Sequence, residues 1–139
     1  MISGNKYTLI VCKIDGEPIP ISSDGTCDIF RKSMNMFRVR LRNIDMEMNL
    51  ALDTYIDGKP DDRVIITGDG SFTKLLNIRQ TSRSIPYDAE EIEMRIRRQI
   101  SGDEASRDDQ DYDDVYEKLV IRLHPDDTPP SNGFEGLQL

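Results

Sequence analysis

Three arginines recur at every second position in Phe37-Arg38-Val39-Arg40-Leu41-Arg42, the most regular chemical pattern in the chain. Side chains of a strand alternate between its faces, so Arg38, Arg40 and Arg42 form one row and Phe37, Val39 and Leu41 the other. The strand rise sets successive guanidinium groups about 6.6 to 7 Å apart. Such a row grips carboxylates or phosphates. Arg95 and Arg97 make a second, shorter row. Four uses are open to these arginines. They can pair across strands with Asp53, Asp57 or Glu93. They can contact a carboxylate-bearing protein or a nucleic acid. They can also receive the chain's own acidic loop, or that loop from an adjacent copy.

The carboxylates gather elsewhere. The net charge of −8 is uneven: residues 1–100 hold 15 basic and 15 acidic side chains, and residues 101–139 hold 3 and 11. Most of that excess lies in Ser101 to Asp114 (SGDEASRDDQDYDD), whose low hydrophobicity predicts a mobile acidic loop. Asp109, Asp111 and Asp113 have the 1-3-5 spacing of a calcium-binding EF-hand loop. The glycine expected at its sixth position is Asp114, however, and the glutamate at its twelfth is Val120. The EF-hand is rejected, which leaves a solvated acidic loop or weak calcium binding by flexible carboxylates. Asp108, Asp109, Asp111, Asp113 and Asp114 are therefore carried forward as partner-contacting residues, with no metal or other cofactor expected.

The remaining reactive side chains are few. His124 is the single histidine and precedes Pro125 at the end of an apolar run, the setting of a surface residue at a strand end. Without a second histidine, His-based metal sites and most acid–base triads have no ligands or partners. Cys12 and Cys27 are not spaced as a CxxC pair and read as buried, reduced thiols. Gly68-Asp69-Gly70-Ser71 has the flavour of a phosphate loop but is better explained as a turn. No catalytic residue is nominated.

The elements that position these groups are short strands. Residues 36–60 read as a central hairpin: alternation through Leu41, a turn at Asn43-Ile44-Asp45, and a second run through Met48, Leu50 and Leu52. Asp57-Gly58 supplies the next turn, and Pro60 is a poor strand continuer. Further strands are expected at residues 6–14, 27–31, 63–67, 72–79 and 115–124. Glu17 to Ile21 is expected to be an extended edge segment. For residues 89–97 the period-2 alternation of Ile92, Met94 and Ile96 favours strand, with a helix as the alternative. No long amphipathic helix is available for parallel crossovers. The fold class expected is therefore all-β: an antiparallel β-sandwich or jelly-roll of seven or eight strands over residues 1–124, with acidic loop 101–114 and an extended tail 125–139. Phe134 and Leu137 of the tail could dock on this domain or on a neighbour.

The segment RLRN…LDTYIDGK resembles hairpins in small β-sandwich domains of viral and phage particle proteins. That resemblance implies an accessory role in a virion and identifies no functional residue. The function expected is a non-enzymatic structural or protein-binding module inside a larger assembly. Its partners would be other protein subunits, including further copies of the chain. Two alternatives stand beside it: an acidic inhibitor that mimics nucleic-acid charge to bind a basic protein, and a small all-β enzyme with an unidentified site. Overall acidity and the lack of exposed aromatics disfavour a nucleic-acid partner. No run is long and apolar enough to span a membrane, and the N-terminus lacks a basic region and a cleavage site. The expected location is the cytoplasm or a virion.

Overall fold

The apolar residues of the chain fall mostly at every second position, and a strand so patterned must bury one face against another layer. The computed structural model describes residues 2–3, 7–34, 36–45, 47–78, 89–100, 109–113 and 117–125. Its strands are β1 (Ile2–Ser3), β2 (Tyr7–Lys13), β3 (Thr26–Phe30), β4 (Met36–Asn43), β5 (Leu50–Ile56), β6 (Lys59–Ile66), β7 (Ser71–Asn77), β8 (Glu91–Arg98) and β9 (Glu117–His124). They form a four-stranded sheet, ordered β1-β2-β4-β7, and a five-stranded sheet, ordered β3-β9-β8-β5-β6. All pairs are antiparallel except β3 with β9, which is parallel and makes the second sheet mixed. The all-β sandwich is as expected, and residues 91–98 are strand, as their alternation indicated. The expected tail and most of the acidic loop lie outside the described residues.

The inward faces of the two sheets make one core. Leu9, Val11, Phe37, Val39, Leu41 and Leu76 of the first sheet meet Ile29, Leu50, Leu52, Ile92, Met94, Ile96, Leu119 and Ile121 of the second, all essentially inaccessible. Each fully buried Leu, Ile or Phe contributes roughly 1.5–3 kcal/mol against exposure. Cys12 and Cys27 are both buried and unpaired, one in each sheet. Lys74 of β7 ties the sandwich along one edge, its Nζ 3.1 Å from Asp62 and 3.7 Å from Asp61 of β6. The Tyr7 hydroxyl links β2 to β9 by donating to Glu117 Oε1 at 3.0 Å.

The expected central hairpin does not form. β4 pairs with β2 and β7, whereas β5 pairs with β6 and β8, so the two runs lie in different sheets. Two half-buried strands satisfy their apolar faces equally well side by side or facing each other across a core. What decides here is Asn43, fully buried at the end of β4. Its Nδ2 donates to the carbonyls of Met48 (2.7 Å), Ile66 and Thr67 (3.1 Å each), and its Oδ1 accepts the Asp45 amide at 3.0 Å. These bonds hold the crossing between sheets. The true hairpin is β5–β6, closed by Asp57 (φ 50°) and Gly58 (φ 83°) in the left-handed region that a two-residue turn needs. Pro60 lies inside β6, which tolerates it as the edge strand.

Candidate functional site

β4 lies between β2 and β7, and its alternation turns Arg38, Arg40 and Arg42 to the outer side of the four-stranded sheet. Register sets Arg38 between Cys12 and Leu75, Arg40 between Ile10 and Thr73, and Arg42 between Thr8 and Ser71. None of these six neighbours is acidic. Arg38 donates to the Ile14 carbonyl at 3.2 Å, and Arg42 meets Asp69 at 3.3 Å with both side chains more than half exposed. An ion pair so solvated contributes little. Arg40 is exposed and has no hydrogen-bond or ion-pair partner among the described residues. Exposed Leu75 and Ile14 border the row. Cross-strand pairing with Asp53, Asp57 or Glu93 therefore fails for these three arginines. Those acids belong to β5, its turn and β8, all in the other sheet.

The outer side of the five-stranded sheet is different, because there Arg63, Arg95 and Arg97 each have a carboxylate. Asp53, buried in the middle of β5, accepts Arg63 Nε at 2.5 Å and Arg63 Nη2 at 2.7 Å, and Arg97 Nε at 3.0 Å. Arg95 Nε donates to Glu93 at 2.5 Å, a carboxylate contact that holds its pKa above the ordinary value. The Arg95 guanidinium also covers the Tyr55 ring at 4.2 Å. Arg97 pairs across strands with Asp53 as expected, whereas Arg95 pairs with Glu93 within its own strand β8.

The described part of the acidic segment is anchored to this second sheet. Asp109–Asp111 form one 3-10 turn, and the Ile100 amide donates to the Asp111 carbonyl at 2.7 Å. Tyr112 bridges Gln99, is buried, and stacks under the Arg63 guanidinium at 5.3 Å. The Asp113 carboxylate accepts the Arg98 amide at 3.1 Å and pairs with Arg98 Nη2 at 3.1 Å. Residues 109–113 are thus hydrogen-bonded to the end of β8. Composition hides this: the anchor is Tyr112, the one aromatic in an otherwise acidic run. Asp108, Asp114, Phe134 and Leu137 lie outside the described residues.

At another margin of the five-stranded sheet, a cleft of about 800 Å³ opens between Arg31, Lys32, Glu90, Glu91, Arg122 and His124. Several of its groups already serve the fold. Arg31 donates to the carbonyls of Ile78 and Ala89. His124 Nε2 lies 2.8 Å from Asp28 Oδ1, and its ring stacks on Phe30 at 4.9 Å between centroids. The lone histidine is therefore half-buried and joins β9 to β3, a role the sequence reading did not give it. Gly68-Asp69-Gly70 is the turn between β6 and β7, with the Gly70 amide donating to the Thr67 carbonyl at 2.9 Å.

The chain matches no protein-family model and no curated protein. No helix among the described residues is long and apolar enough to cross a membrane.

Proposed function

We propose that the protein is a non-enzymatic binding module of a larger assembly that docks an acidic protein surface on the outer side of its four-stranded sheet. The observation that carries this reading is the row Arg38, Arg40 and Arg42, whose in-register neighbours are all uncharged. Three guanidinium groups so placed repel one another and gain from an external carboxylate surface. Arginine is enriched at protein interfaces because its planar fork binds carboxylates bidentately. Around the row stand Ile10, Leu75, Thr8 and Thr73, a mixed aliphatic and hydroxyl surface suited to protein. The outward residues of β2, β4 and β7 include no aromatic platform on which bases would stack.

The test is affinity capture from the native source with wild type and with the R38Q/R40Q/R42Q variant. Wild type is expected to recover a stoichiometric acidic protein after nuclease treatment, and the variant is expected to lose it. Equal recovery by both would remove the row from the interface.

A further inference from the structure

We infer that the acidic surface met by the arginine row is a second copy of this chain, so that copies join head to tail through charge. The inference rests on the row being a protein-binding face. Charge complementarity within one chain supports it. Seven acidic side chains and one basic one lie between residues 101 and 114, whereas residues 1–100 are balanced. Placement explains why a single copy leaves the row open. Residues 109–113 are tied to the Arg98 end of β8 through Tyr112 and Asp113, in the five-stranded sheet. The row faces outward from the four-stranded sheet, beyond a core about 10 Å thick. Arg40, in the middle of that row, meets no carboxylate of its own copy among the described residues. The arginine row that donates and the acidic segment that accepts are different parts of the chain. Their contact is heterologous, the type that builds rings or filaments.

Sedimentation velocity of the full chain tests this. Wild type is expected to form species larger than a monomer at about 0.1 M salt. Their association should weaken at least about tenfold at about 1 M, where the screening length falls from about 10 Å to about 3 Å. R38E/R40E/R42E and D103N/E104Q/D108N are each expected to be monomeric alone. Mixed, they should form a one-to-one heterodimer that grows no further, because each retains the surface the other lacks. Wild type that stays monomeric at low salt, with no heterodimer on mixing, would overturn the second-copy inference. In that event, capture of a different acidic protein by wild type but not by R38E/R40E/R42E would leave the binding face standing. Loss of neither by that variant would bring down both.

Discussion

Asp53 is the residue on which the outer side of the five-stranded sheet depends. Its carboxylate is almost inaccessible and neutralises two largely buried guanidinium groups, those of Arg63 and Arg97. Asp53→Ala would remove the carboxylate that both share, and a loss of about 3–5 kcal/mol is expected from urea unfolding. Thr54, next in the chain, carries the opposite situation: its Oγ1 is buried with no hydrogen-bond partner among the described residues. Thr54→Val removes an unsatisfied hydroxyl while keeping its shape, so a gain of about 1 kcal/mol is expected in the same measurement. Cys27 gives a pH signature. Burial, and after it the neighbouring Asp28, pushes its thiol from 9.0 up to about 12. Between those values the unfolded chain has released the proton and the native chain has not, so stability is full below about pH 9 and falls as pH rises. The stability advantage of wild type over Cys27→Ala is expected to shrink by about 1–2 kcal/mol between about pH 8 and about pH 10.5.

At the scale of elements, Asn43 decides the topology. Its Nδ2 shares two hydrogens among three carbonyls and its Oδ1 accepts an amide where β4 hands over to the other sheet. Asn43→Ala is expected to cost about 3 kcal/mol, read as a lower denaturation midpoint, because buried carbonyls lose their donor. Gly25 has a comparable role for β3. With φ at 85°, any Cβ there would sit 2.7 Å from the Lys118 carbonyl, so only glycine lets β3 enter beside β9. Turns cap both ends of the open edge of β3: the Thr26 carbonyl accepts the Ser22 amide and hydroxyl, and the Phe30 carbonyl accepts the Ser33 and Met34 amides. These features mark how far the sequence is legible. Alternation of apolar residues locates nearly every strand, because burial on one face leaves a period of two. It cannot say whether Leu41 and Leu52 lie side by side or face each other, because the pattern is the same in both arrangements. The arginine row was legible as a row for the same reason. Its freedom from carboxylates was not, because that depends on which strands become its neighbours.

For the whole molecule, the two outer sides of the sandwich divide the electrostatics. On one, Asp53 and Glu93 each hold their arginines, and exposed Lys118 and Arg122 lie on β9. The other presents Arg38, Arg40 and Arg42 with a single solvated acid among the described residues, Asp69, at one end. Residues 101–139 carry an excess of acid equal to the whole net charge. The sequence thus joins an arginine row in residues 38–42 to a segment of opposite charge in residues 101–139. Electrostatic attraction of that kind governs encounter rate and orientation, with the bordering aliphatic side chains adding area once docked. The measurement that bears most directly on this account is a matched comparison of two charge reversals in equilibrium binding to the partner that wild type captures. R38E/R40E alters the row, and K118E/R122E alters two exposed positions of β9 by the same charge. The row variant is expected to bind at least about tenfold more weakly while the β9 variant stays near wild type. Equal losses in both would show a response to net charge alone, and undiminished binding by R38E/R40E would contradict the assignment of the row as the docking face.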